Sequence, residues 1–184
     1  MAGEFAQLGQ RLAIVLGGAI SLHDDIRKAR EFCDDPLIIA VNDAGFDYEW
    51  KVDHWVSMHP FLLERLVKQR EKRGFQPAGK LWAPRHISTP EGMEFGRVSS
   101  WGGSSGLLAV TLAFDLKVEK VILCGIPMSP EGAHYFSPKR PWNDAVQYKA
   151  AWSRNFDRMN GHVKSFSGWT AQLLGMPTKD WADA

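Results

Sequence analysis

The sequence predicts an α/β fold built on a mostly parallel sheet with helices on both faces. Three observations carry this. The strongest apolar runs, such as residues 12–16 and 120–124, are β-rich and continuous rather than alternating, as strands buried on both faces are. Segments of helical spacing separate these runs. Strand and helix signals then alternate along the whole chain, an order that lays successive strands parallel.

Residues 12–16 form the first strand, and Gly17 and Gly18 end it. Ser21 is placed to cap the next helix, with Asp24 three residues on in a capping-box-like position. Asp24 and Asp25 suit the positive end of that helix's dipole. The helix runs to Phe32 and Cys33, where Asp34, Asp35 and Pro36 stop it. "LIIAVND", 37–43, is a second buried strand and "HWVSMH", 54–59, a third. Pro60 opens a helix that Gly74 ends. Residues 80–85 are a short strand. Residues 87–103, rich in Gly, Ser and Pro, form a long loop with room for a short strand at 96–98. From Ser104 or Ser105 to Lys117 runs a helix that is apolar nearly all round, the mark of burial. "KVILCGIP", 120–127, is a strand, and "SPEGAHYFSPKRPW" after it a loop. The spacing of Val146, Ala150, Trp152, Phe156 and Met159 predicts a helix that Gly161 ends. "VKSFSG" is a last short strand and "TAQLLG" a last helical turn or two. No repeat or linker breaks the pattern, so a single Rossmann-like domain over 1–184 is expected.

A chain of 184 residues encloses one sizeable core. Apolar residues make up 45% and charged residues 23%, an ordinary soluble composition. A formal net charge of +1 offers no global field to nucleic acid or to an acidic membrane, so neither is an expected partner. Cys33 and Cys124 lie far apart, without CxxC or metal-ligand spacing, and read as reduced core thiols of a cytoplasmic protein. The start, "MAGEFAQLGQ", does not read as a signal peptide. No apolar run approaches the roughly 20 residues of a membrane helix. Trp101, Trp142, Trp169 and Trp181 fall in loop-like places. They mark a pocket, an interface, or, as is commoner, loops packed onto the core.

Ligands of an open parallel sheet bind beyond the carboxyl ends of its strands. Gly17, Gly18 and Ser21 stand there, in a strand-to-helix loop able to cradle a phosphate. The same glycines also suit a tight turn that holds nothing. Neither GxGxxG nor GK[ST] is present, so the loop predicts neither NAD nor a P-loop ATPase. Asn42 and Asp43 end the second strand. Asn42, with donors and an acceptor, suits a base edge or a hydroxyl, while Asn-Asp also simply begins turns. His59 falls at a strand end within reach of a ligand. His54, at a strand start, is structural, and neither forms a metal pair, so no metal site is predicted. Ser104, Ser105 and Gly106 lead into a helix and offer amides, hydroxyls and a positive helix end; small residues there also allow close helix–sheet packing. After Gly125 come His134, Tyr135, Lys139 and Arg140. A histidine of near-neutral pKa acts as general base, and Lys or Arg neutralises a leaving phosphate. The alternative is a solvated basic loop with an incidental histidine. With no GxSxG, HExxH or Cys/His pairing, hydrolase readings lack support.

"IVLGGAISL", "IIAVNDAGF", "SSGLLAVTLAFDLKVEKVILCGIPM" and "SGWTAQLLGMP" resemble a broad Rossmann-like group. It includes lipooligosaccharide-type sialyltransferases, motility accessory factor glycosyltransferases and archaeal 6-hydroxymethylpterin diphosphokinases, and small phage and prophage proteins look most similar. The resemblance implies that Gly17, Gly18, Ser21, Asn42 and Asp43 bind the nucleotide part of a donor. It implies that Ser104, Ser105 and Gly106 contact phosphate or donor sugar. The segment after Gly125 would carry acceptor and catalytic groups, with His134 as general base. The chain departs from the group at Ala19 and Ile20, where many relatives have proline. It departs again at Pro127, where an acidic residue commonly follows Gly-Ile.

Three functions follow from these residues and this likeness. The first is a nucleotide-dependent transferase, glycosyltransferase-like, taking a nucleotide sugar as substrate with no tightly bound cofactor. The second is diphosphate transfer from ATP to a small alcohol, which needs Mg²⁺ and for which Asp43 and Asp53 are the available acidic residues. The third is a non-catalytic phage protein that binds or sequesters a nucleotide. In each the partner is a nucleotide-containing small molecule in the cytoplasm of a bacterial host, and self-association stays open.

Overall fold

A computed structural model describes residues 11–129 and 145–184. Seven parallel strands form one sheet in the order β5-β4-β3-β2-β1-β6-β7. They are β1 (Leu12–Leu16), β2 (Leu37–Val41), β3 (His54–Val56), β4 (Lys80–Pro84), β5 (Phe95–Val98), β6 (Lys120–Cys124) and β7 (Val163–Ser165). The helices are α1 (Leu22–Ala29), α2 (Ala44–Asp47), α3 (Pro60–Lys72), α4 (Ser105–Asp115), α5 (Ala145–Arg154), α6 (Phe156–Met159), α7 (Gly168–Leu174) and α8 (Lys179–Asp183). The α/β reading of the sequence is the fold observed.

Strand alternation divides the core into two layers. Ala13, Val15, Ile39, Val41, Val121 and Leu123 face α4, whose residues Ser105 through Ala113 are all buried. Leu12, Ile14, Ile38, Ala40 and Ile122 face the other way, onto Leu22 and Ile26 of α1 and Leu63 and Leu66 of α3. The chain winds outward from β1 to β5, then returns through α4 to lay β6 against the free side of β1. The pair β1–β6 is therefore the switch point of the sheet.

The backbone approaches itself closely there. A Cβ on Gly17 would lie 2.5 Å from the Gly125 carbonyl oxygen, and one on Gly125 would lie 2.7 Å from that of Gly17. Gly125 also has φ +68°, a left-handed conformation that glycine adopts without cost. Both glycines are required by packing, before any ligand is considered.

Several local expectations are corrected. Ser21 occupies the N-cap position of α1, yet its side chain makes no capping bond. Its hydroxyl is drawn instead to the buried carboxylate of Asp25. Asp25 is thus an internal anchor rather than a helix-dipole residue. The helix expected up to Gly161 breaks at Asn155 into α5 and α6. There Asn155 Nδ2 donates to the Ala151 and Trp101 carbonyls. The short helices α2 and α8 lacked a periodic signal. Cys124 is buried and Cys33 half-buried, both free thiols. Trp101 packs edge-on against Phe114, and Trp181 donates to the Gly161 carbonyl. Trp142 lies outside the described residues. No helix of the described residues is long and apolar enough to cross a membrane.

At the amino end of the sheet, His54 Nδ1 accepts from Trp82 Nε1 at 3.0 Å. Only a neutral ring can accept, and burial holds its pKa below the ordinary 6.5. Above that value both states are neutral and the contribution is complete. As pH falls below it, the unfolded chain takes up a proton that the fold resists, so the contribution is lost. The melting-temperature difference between wild type and His54→Phe is expected to shrink between pH 7 and pH 5. A difference constant across that range would refute this.

Candidate functional site

A cleft of about 450 Å³ opens beyond the carboxyl ends of β1, β2, β3 and β6. That is the scale of a small-molecule site, and it sits where the fold reverses direction. Gly17 and Gly18 line it from the end of β1, Asn42 and Asp43 from the end of β2. His59, exposed, comes from the end of β3, and Gly125 from the end of β6. Ser104, Ser105 and Gly106 enter from the start of α4. The structure places Ser21 off this lining, its hydroxyl 3.0 Å from Asp25 Oδ2 and 3.1 Å from Ser167 Oγ. His134, Tyr135, Lys139 and Arg140 lie outside the described residues.

Each serine hydroxyl at the start of α4 already accepts a hydrogen bond. Ser104 Oγ accepts from Leu107 N and from Trp152 Nε1. Ser105 Oγ accepts from Met58 N at 3.1 Å. These donors cannot act as acceptors, so each serine turns its one proton elsewhere. Among the described residues neither proton has an acceptor, and the same holds for the amides of Ser105 and Gly106. α4 is long enough to carry a helix dipole, whose positive end adds to these donors. Gly106 also serves packing, since a Cβ there would stand 3.3 Å from Ile126 Cγ2.

At the end of β2, Asn42 has φ 48°, a left-handed conformation that asparagine tolerates better than most residues. The turn directs its carbonyl to Trp55 Nε1 at 2.8 Å and its Oδ1 to Ser57 Oγ at 2.7 Å. Its side-chain oxygen is therefore engaged by Ser57, and Nδ2 has no partner among the described residues. Of the two roles expected for Asn42, donation is the one whose atom is wholly unengaged. Asp43 is the one carboxylate on the described lining. Asp53 lies at the other end of the sheet, accepting from Ile38 N and pairing with Lys51. It cannot share a metal with Asp43.

Sequence reasoning missed Met58 and Tyr148 on the lining, and of the strand end at 125–129 it singled out Gly125 but not Ile126 or Met128. Met128 is buried at φ 47°, a conformation that costs a non-glycine residue about 1 kcal/mol or more. A methionine carries no sequence signal for such a turn. Pro127 is not on the lining. Its ring and carbonyl face Gly168, where a Cβ would stand 2.4 Å from Pro127 Cβ, and its carbonyl accepts from Thr170 N.

A small-molecule cleft at the switch point of an all-parallel, helix-flanked sheet defines a Rossmann-like α/β protein. No protein-family model matches the chain, and no curated protein matches it in sequence. Among solved structures it is similar to a MAf glycosyltransferase from Magnetospirillum magneticum AMB-1, with a TM-score of 0.59 and 15% identity. The match covers 95% of this chain and 36% of that one, so the chain spans about a third of its neighbour's length. This likeness is one of fold.

Proposed function

We propose that the cleft binds the phosphate-bearing part of a nucleotide or nucleotide sugar, and that the protein is a glycosyltransferase-like transferase. The polarity of the lining carries this reading. The Asn42 amide, the Ser104 and Ser105 hydroxyls and the first amides of α4 all have protons to give and, among the described residues, nothing to give them to. Such a surface complements a group that only accepts, and a phosphate does so while also meeting the helix dipole. Asp43 complements a sugar hydroxyl. In transfer, the α4 donors would stabilise charge developing on the leaving phosphate. Lys139 and Arg140 would add to that, and His134 would take the proton of the acceptor hydroxyl. The fold shared with a glycosyltransferase supports the reaction class.

The test is a thermal-shift panel of CMP, UDP, GDP, ADP, ATP, NAD and their sugar conjugates, with and without Mg²⁺. A ligand at a hundred times its Kd stabilises by about 2.7 kcal/mol, or about 5–10 °C in a chain of this size. One nucleotide family is expected to give that shift. Asn42→Asp, which keeps the acceptor for Ser57 but sets a negative charge in the cleft, is expected to weaken binding at least about tenfold. No shift with any compound overturns the reading. Tight binding with no turnover, in wild type and His134→Ala alike, would favour the sequestering alternative, for which the non-acidic Pro127 is the specific support.

A further inference from the structure

Ser57 is fully buried, immediately behind the cleft, and is not on its lining. Its hydroxyl makes two bonds. Oγ accepts from His59 N at 2.8 Å and donates to Asn42 Oδ1 at 2.7 Å. The first bond leaves the hydroxyl proton to the second. A backbone amide only donates, so Oγ must be its acceptor, and the hydroxyl proton is free for Asn42. The Asn42 side chain then meets Ser57 through its oxygen, and its NH₂ group is left to the cleft. Turning the amide by 180° would bring Nδ2 up to Oγ. It would also leave the Ser57 proton without an acceptor in a buried place, which costs more than a solvent-exposed loss.

We infer that Ser57 is a specificity-determining positioning residue: it holds the Asn42 amide with both Nδ2 hydrogens toward the cleft, so this subsite takes only a group that accepts. The group is a phosphate, carboxylate or carbonyl oxygen, and an amino or other donor group is refused. Asparagine at this place could otherwise serve either kind of ligand, because its amide can turn. The relay His59 N–H → Ser57 → Asn42 removes that choice. It runs along the end of β3, which also supplies the Met58 amide that fixes Ser105. One strand end thereby sets the polarity of both sides of the subsite.

The inference rests on the proposed function for its ligand, but its geometry can be tested without one. In ¹⁵N-labelled ligand-free protein, the Asn42 side-chain amide is assigned by its loss in Asn42→Asp. It is expected to show no NOE from its Nδ2 protons to the Ser57 β-protons. A strong cross-peak would mean the amide is turned, and would overturn the inference whatever the protein binds. The binding arm uses CMP, UDP and inorganic pyrophosphate in calorimetric titrations. Ser57→Ala is expected to weaken the best of these about five- to tenfold. Ser57→Thr, which keeps the hydroxyl, should restore affinity to within about twofold of wild type. Equal loss in Ala and Thr variants, or none in either, refutes a role for the hydroxyl. If wild type binds none of the three and the thermal panel is also silent, the nucleotide reading falls, while the NOE result still decides the amide's orientation.

Discussion

Arg70→Met is expected to lower the unfolding free energy by about 3–4 kcal/mol, the largest loss expected from any single polar side chain among the described residues. The guanidinium is 1% exposed and its bonds all end on backbone carbonyls. Nη1 donates to Gly45 at 2.7 Å and Tyr48 at 2.5 Å, Nη2 to Trp50 at 2.8 Å, and Nε to Gln76 at 2.6 Å. Four carbonyls with no other use thus converge on one cation carried by α3. They hold α2 and the strand-free segment after it against α3. Methionine fills much of the volume but answers none of the acceptors. Water can reach those of the exposed Trp50 and Gln76, whereas Gly45 and Tyr48 are buried, so the loss is that of about two orphaned groups plus charge-assisted bonds. Arg70→Lys should fall between, because an ammonium cannot span the fork. Urea unfolding checks this: the midpoint drops and the slope is unchanged. A loss under about 1 kcal/mol would show that the carbonyls find other donors.

Asp25→Ala is the second large effect, about 2–3 kcal/mol. Oδ2 accepts from Gly125 N at 2.9 Å, Ser167 Oγ at 2.9 Å and Ser21 Oγ at 3.0 Å. Those donors come from the loops that follow β6, β7 and β1. Asp25 therefore ties together the three strand ends nearest the switch point. Alanine leaves the buried Gly125 amide without an acceptor and frees a glycine held at φ +68° on the cleft lining. Stability and affinity should fall together. Asp25→Asn, which still accepts, should recover at least half of both. A variant of full stability that binds poorly would instead place Asp25 in ligand contact, against this account.

These residues show what pattern reading reaches. Burial on both faces produces continuous apolar runs, so β1, β2 and β6 stand out in the sequence and the parallel sheet with them. Strand ends follow, and with them Gly17, Asn42, Asp43, His59 and Gly125. A helix as apolar as α4 is legible for the same reason. By contrast, Asp24 and Asp25 are adjacent identical residues. One pairs on the surface with Arg27 and Lys28, and the other anchors three loops from the interior. Little local separates them, because two of the three donors to Asp25 lie 100 and 142 residues away. Arg70 is as opaque in the run "LVKQREKRG", since its partners are carbonyls and carbonyls carry no residue identity.

Periodicity and composition by themselves determined the fold class and the order of its principal strands and helices, since burial of apolar side chains repeats with the geometry of each element. The direction of each hydrogen bond in the cleft was decided only by tertiary structure. Asn42 is a donor there and not an acceptor because His59, Ser57 and Asn42 meet across two strand ends. A hydroxyl's role depends on which obligate donor reaches it first, and that is a property of the folded chain alone.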